Sequence, residues 1–474
     1  MRALCLAVFI LIAANVPAQD VVKLSGRVVN PLSDSIKISY NDDIIAYYPK
    51  EFFAVLDKKG NFSITIPVPA GIYIQAEIDH GNRSAELIVR PGDSLVMAVD
   101  AAHFDSSVHY TGKGSQVENF IARHTLARGR MNQYTIKIKT DISKEPADFL
   151  KSIEQEKKNE MDFLNKNKPG LPVSFIQYWT AFYQYYNYFF MQQYPQVHEM
   201  IKYRRYTDTV PPQNYAVIKA MAYAFNDTLL QVPPYLLYLT GVLDIKLKAA
   251  GYVYLGKDEE IMQKIQDSVT TLAYQLLPPR SAEYFIAQNL YGRARNQELS
   301  VTESQFDTFK THWPGSSYIP VIEKQVSMAR KLAPGQPAPD FEIHTPDGKS
   351  MNLCDLRGKV IFLSFWASWC KQCIGEMMSE KKVQELIINK PLEFVYVSIG
   401  NDTAAERNVV NKLKIKGIFS DVAGGWNAKE VQQYGVQSLP AYYLIDEDGN
   451  FALRNCPHPT QSTQLILEIE KLFR

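Results

Sequence analysis

The sequence predicts a multidomain α+β chain. An N-terminal antiparallel β domain of sandwich or barrel type is followed by a central helical domain and a C-terminal α/β domain. Three observations predict this. Short alternating apolar runs, punctuated by Gly and Pro, fill residues 19–112. From Gln116 the apolar spacing changes to three and four. Beyond Arg330 a Pro-rich stretch leads into alternating strand and helix patterns. A length of 474 residues fits about three domains at ~150 residues each.

Composition narrows the class. Apolar residues make up 46% and charged residues 21%, which excludes a disordered chain. With 24 Gly and 26 Pro, a collagen-like chain is excluded too. Fifty-one Lys plus Arg against 50 Asp plus Glu give no electrostatic case for binding nucleic acid. Five Cys are too few for a disulfide scaffold of this size.

The first residues read as a leader. Arg2 precedes an 11-residue apolar run, Leu4 to Ala14, and Val16-Pro17-Ala18 offers a cleavage site. The run is shorter than the ~20 residues a membrane-spanning helix needs. The expectation is a signal peptide over residues 1–18, cleaved on export to the periplasm or cell envelope. Cys5 lies too early in the run for a lipid-anchoring signal. Cleavage removes one positive charge and leaves the mature chain neutral.

Residues 19–112 follow as the β domain. Val21 to Val29, Phe62 to Ile66 and Leu87 to Arg90 read as strands. Turns fall at Lys59-Gly60-Asn61, Ala70-Gly71 and Pro91-Gly92-Asp93. Residues 113–330 form the helical domain. Phe149 to Leu164 has amphipathic spacing. Phe175 to Tyr194 carries 11 Phe, Tyr or Trp in 20 positions, and reads as a helix buried among helices. Pro211-Pro212, Pro233-Pro234 and Pro278-Pro279 are expected to end helices. Residues 331–339 are a linker with three Pro and one Gly between Ala333 and Pro339. In residues 340–474, Val360 to Phe365 is an apolar run of buried-strand type. Ile374 to Ile388 reads as a helix, Leu392 to Ile399 as a strand and Glu406 to Leu413 as a helix. Tyr442 to Leu453 reads as a hairpin and Gln464 to Phe473 as a closing helix.

The chemistry is concentrated at Cys370-Lys371-Gln372-Cys373, between a buried strand and a helix. A thiol at a helix N-terminus faces unpaired N–H groups and the positive end of the dipole, which favour the thiolate. Two intervening residues let the second thiol reach the first, so the pair can cycle between dithiol and disulfide. A zinc half-site would need a second ligand pair, and neither Cys354 nor Cys456-Pro457-His458 repeats the spacing. No metal or cofactor is expected. Cys354 and Cys456 read as small buried side chains or as a second disulfide.

The segment from Val360 through Trp369-Cys370-Lys371-Gln372-Cys373 to Glu376 resembles the active-site segment of the thioredoxin fold. More narrowly, it resembles the TlpA/ResA branch of exported thiol-disulfide oxidoreductases. Pro337-Ala338-Pro339-Asp340-Phe341, Asp347-Gly348-Lys349 and Leu356-Arg357-Gly358-Lys359 resemble that branch's N-terminal extension. Tyr434 to Pro440 resembles its cis-proline loop, and Leu444-Ile445-Asp446 with Asp448-Gly449 its hairpin. The resemblance spans residues 335–474. It implies that Cys370 is the attacking thiolate, Cys373 the resolving thiol and Pro440 a cis-proline facing them. It implies a proton-transfer role for Glu376. It also makes Leu439 and Trp369 the substrate-binding residues, with Leu439 offering backbone to an extended substrate and the tryptophans packing around the site. Gln372 stands where relatives often have Pro. Ser364 stands where thioredoxins have a buried acid, leaving Glu376 as the expected base. The implied partners are disulfide-bearing envelope proteins and, as electron donor, a membrane thiol-disulfide transporter. Pro91 to Leu95 and Gly112 to Ser115 carry a fainter resemblance to domains that precede this module. Two other functions remain in view: a thiol peroxidase, from the Ala338 to Phe341 opening, and a peptide- or glycan-binding protein with an accessory redox domain.

Overall fold

The structure is a computed structural model. It describes residues 21–473 apart from 42–44, 46–49, 70–72, 132–140, 204–211, 222–223, 250–258, 297–298, 345–349, 388–389, 401–402 and 455. The expected leader, the Ala70-Gly71 turn, Pro211 and Asp347-Gly348-Lys349 lie outside the described residues. The chain divides into two compact units, Met1–Phe285 and Ile286–Arg474.

The first unit opens with eight strands: β1 (Val21–Val29), β2 (Ser35–Tyr40), β3 (Lys50–Val55), β4 (Asn61–Pro67), β5 (Ile74–His80), β6 (Arg83–Val89), β7 (Ser94–Asp100) and β8 (His109–Lys113). They form two four-stranded sheets, ordered β4-β1-β7-β8 and β3-β2-β5-β6, and neither closes into a barrel. Strands β2 and β7 alternate buried and more exposed residues, as period-two patterning requires. Val22, Leu24 and Met97 from one sheet share a core with Ile36, Ile38 and Ile78 from the other. One pairing departs from the expected antiparallel pattern: β1 and β7 run parallel. Parallel neighbours need a long connection, and five strands intervene between these two. Gly26 sits opposite Met97, where a Cβ would lie 2.1 Å from the Met97 carbonyl oxygen, so only glycine allows this approach.

Helices complete this unit: α1 (Ser115–Arg128), α2 (Pro146–Asn167), α3 (Val173–Tyr203), α4 (Pro233–Ala249) and α5 (Glu259–Leu276). Helix α3 contains the aromatic run. Phe175, Trp179 and Tyr183, spaced by four, are buried. Phe120 of α1 packs edge-on to Phe175 and Trp179, at 5.4 and 5.0 Å between centroids. Tyr185 meets Tyr235 and Tyr238 of α4. The run is a buried helix, as expected. Glu118 of α1 is buried and accepts the Ile88 N–H of β6 at 3.2 Å.

Pro278-Pro279 follows the end of α5 at Leu276, as expected, but prolines of these pairs also open helices. Pro233 opens α4, and Pro279 opens α6 (Pro279–Arg295). The first turn of a helix has no use for the missing N–H, so proline is tolerated there.

The second unit holds the end of α6, then α7 (Leu299–His312) and α8 (Ile319–Lys331). Residues 335–338 then run along a hairpin. The Gly335 N–H donates to Phe451 O at 2.7 Å, and the Ala338 N–H donates to Gly449 O at 3.0 Å. A small two-stranded sheet follows, β9 (Glu342–His344) with β10 (Ser350–Asn352). The main sheet contains β11 (Val360–Trp366), β12 (Leu392–Ser398), β13 (Ile418–Asp421), β14 (Ala441–Ile445) and β15 (Phe451–Arg454), in the order β13-β12-β11-β14-β15. Strands β12 and β13 run parallel to β11, whereas β14 and β15 form an antiparallel hairpin. With α9 (Lys371–Leu386), α10 (Thr403–Leu413) and α11 (Ser462–Lys471), this is the thioredoxin fold. Central β11 is buried at all seven positions.

Candidate functional site

The site begins where β11 ends. The chain turns through Ala367-Ser368-Trp369, and Cys370 caps the N-terminus of α9. Its Sγ accepts the Cys373 N–H at 3.1 Å, the task an oxygen side chain performs at an ordinary cap. Cys370 and Cys373 are joined by a disulfide with an S–S distance of 2.03 Å. Cys370 is 7% exposed and Cys373 1% exposed, so Cys370 is the more accessible of the two residues. The first turn of α9 leaves N–H groups unpaired, and their positive field stabilises a thiolate once the disulfide opens.

The Leu439–Pro440 peptide is cis. Strand β14 starts at the next residue and pairs with β11 so that Ala441 lies opposite Phe365. This register places the proline loop at the same end of the sheet as the Cys pair. Leu439 and Pro440 are partly exposed. Helices of the same unit hold the loop from behind. Gln437 Nε2 donates to Gln325 Oε1 at 2.9 Å and to the Tyr291 hydroxyl at 3.3 Å. Arg295 Nη2 donates to Ser438 Oγ at 3.2 Å. Gly435 has φ 59°, and a Cβ there would press on Met328 at 3.0 Å.

Trp366 is buried, but Trp369 is 59% exposed, with its ring centroid 6.5 Å from that of Trp426. Trp366 ends a buried strand, and Trp369 lies in the turn beyond it.

Glu376 is buried one helical turn after Cys373. Its carboxylate is held by the segment after β15. It accepts the Thr460 N–H at 3.0 Å and the Thr460 hydroxyl at 3.1 Å, and His458 Nδ1 lies 3.2 Å away. A second acid, Glu380, is also buried, one turn further along α9. Burial pushes the Glu380 carboxyl up to about 7. Beneath it, Ser364 lies between Tyr396 of β12 and Tyr442 of β14 in adjacent register. The spacing of Cys373, Glu376 and Glu380 already marked one helical face. The surrounding charges of Lys381 and Lys382 disguised it as solvated. His458 and Thr460 carried no local signal.

Cys354 and Cys456 are free thiols, so they form no second disulfide with each other. Cys456 is buried as expected, whereas Cys354 is partly exposed.

Residues 333–458 match the Redoxin family. The chain is 35% identical to a thiol-disulfide oxidoreductase ResA of Bacillus thuringiensis over 119 residues, covering 25% of this chain and 67% of that protein. It is 32% identical over 123 residues to a ResA of Bacillus cereus, covering 26% of this chain and 69% of the relative. A solved structure, a thiol-disulfide oxidoreductase from Bacteroides fragilis, is 21% identical with a TM-score of 0.27, covering 29% of this chain and 99% of that one.

Proposed function

Because the chain belongs to the ResA-like family of thiol-disulfide oxidoreductases, we propose that it is an exported enzyme that reduces disulfides in other envelope proteins. The observation that carries this reading is the Cys370–Cys373 disulfide at the N-terminus of α9. In the dithiol form Cys370 is the attacking thiolate and Cys373 the resolving thiol. The cis Leu439–Pro440 segment offers backbone to the substrate strand, Trp369 offers an exposed apolar surface beside the attacking sulfur, and Glu376 handles the proton of Cys373. Electrons come from a membrane thiol-disulfide transporter.

The leader of residues 1–18 accounts for export to the periplasm or cell envelope. Among the described residues, no helix is long and apolar enough to cross a membrane. We read residues 19–112 as a β domain, 113–330 as a helical domain, 331–339 as a linker and 340–474 as the redox domain. The shared core of the two N-terminal sheets supports a sandwich for the first of these.

A redox titration in glutathione or dithiothreitol buffers, read by alkylation and mass, tests the proposal. The expected result is a reversible two-electron midpoint near or below about −230 mV. Cys370→Ser abolishes disulfide reduction in this account; unchanged reduction by that variant overturns it.

A further inference from the structure

The buried face of α9 carries an acid that exchange at the Cys pair does not by itself require. Glu380 lies seven residues after Cys373 and four after Glu376, so all three share one side of the helix. It is 0% exposed, and the donor that faces it is the Tyr396 hydroxyl. Glu376 differs, with Thr460 donating to it twice and His458 beside it.

The groups facing Glu380 are the Tyr396 hydroxyl from β12, Tyr442 from β14, and Glu376 from its own helix. The segment after β15 sets His458 against Glu376 and Tyr442, and places the buried Cys456 thiol near Tyr442. Helix α11 contributes buried Leu465 and Ile469. The buried acid of α10, Glu406, packs on Gly400. Arg454 of β15 pairs with Tyr443, so it stands on the opposite face of the sheet from Tyr442. Lys381 and Lys382 are exposed.

Two buried carboxylates one helical turn apart repel each other when both are ionised, so one keeps a proton. Hydrogen bonding decides which. Donors stabilise the charged form of Glu376. Glu380 has the Tyr396 hydroxyl where Glu376 has two donors from Thr460, and burial favours its neutral form.

We propose that Glu380 is a positioning residue of the redox centre: it and Glu376 together hold one proton, which rests on Glu380 while the Cys pair is a disulfide. This rests on the reading of Cys370 and Cys373 as the exchanging pair. During substrate reduction the Cys370 thiolate attacks the substrate disulfide, forms a mixed disulfide and expels one substrate thiolate, which takes a proton from solvent. Cys373 gives its proton to Glu376. The Cys373 thiolate then attacks Cys370 Sγ and releases the second substrate thiolate. The protein loses two electrons and the substrate disulfide gains them. A neutral Glu380 keeps Glu376 as the charged acceptor for that proton, and partly exposed His458 gives it a route to solvent.

Reduction adds a negative thiolate at the head of α9. Glu380 therefore keeps its proton to higher pH in the dithiol form than in the disulfide form, and between those pH values reduction takes up an extra proton. The test is the redox midpoint of the full chain from about pH 5 to 9, in the wild type, Glu380→Gln and Glu380→Leu. The leucine variant covers the case in which glutamine misfolds as a new unpaired polar group. We expect the wild-type plot to be steeper above about pH 7, by up to one proton per two electrons, and both variants to lose that segment. We also expect the reduced-minus-oxidised infrared spectrum to show a protonated-carboxyl band that the variants lack. Parallel plots for the wild type and a folded variant across the range overturn the inference. A wild-type Cys pair that does not titrate reversibly overturns the functional reading instead, and the inference with it.

Discussion

Cys370 serves two purposes at once: it caps a helix, and it is the more accessible residue of a disulfide. Its partner Cys373 is almost fully enclosed, so its proton needs an acceptor inside the protein, and Glu376 is the acid one turn away on the same face. If Glu376 accepts that proton, Glu376→Gln slows resolution of the mixed disulfide by about 10²-fold or more. Rapid-quench alkylation checks this, with a Cys370–substrate adduct accumulating in the variant but not in the wild type. The Cys pair was legible because two thiols at that spacing between a strand and a helix have few other uses. Glu380 was not. In sequence it stands in Ser379-Glu380-Lys381-Lys382, which has the polarity of a solvated surface, and only the packing of α9 over Tyr396 and Tyr442 shows that it is enclosed. Cys354 misled for the opposite reason, since a small apolar residue type suggested burial that the fold does not provide.

At the scale of elements, β11, β12, the hairpin of β14 and β15, and helices α9, α10 and α11 followed from apolar period and length, and β11 is the clearest case, whereas the short β9, β10 and β13 did not. Pairing partners were harder, because periodicity fixes which face is buried and says nothing about direction. The parallel β1–β7 pair was therefore invisible. The double prolines marked helix boundaries but not which side of them, since a proline that stops one helix can open the next. The loop before β14 depends on neighbours that no local pattern announces. Gln437 joins it to Gln325 and Tyr291. Gln437→Ala should cost about 1 kcal/mol for each hydrogen bond lost and speed amide exchange across residues 435–441. Hydrogen-exchange mass spectrometry reads both effects, and unchanged protection there counts against a supporting role for these helices.

At the scale of the whole molecule, composition and length announced several domains, but not how the chain partitions into compact units. The first unit also contains a pH-dependent tie. Burial pushes Glu118, which holds β6 through the Ile88 N–H, up to about 8. Its folded-state value exceeds that of an unfolded carboxyl, so the folded state holds an extra proton between about pH 4.5 and 8. Stability from this group is complete below that window and is lost as pH rises through it. Thermal unfolding should therefore show Tm falling from about pH 5 to 8, with a shallower fall in Glu118→Gln. Equal slopes would show that the proton is not linked to folding.

The helices that brace the loop before Pro440 bear on how the redox module can be inherited. Tyr291, Arg295, Gln325 and Met328 all precede residue 333, where the match to the Redoxin family begins. The recognisable cassette thus stops short of its own scaffolding. A gene fragment trimmed to the family boundary would carry the cysteines away intact and leave behind part of what shapes the ground on which a substrate lands. In this protein the module has a dependent border: the residues beside its cis-proline loop are answerable to helices that lie outside the matched span.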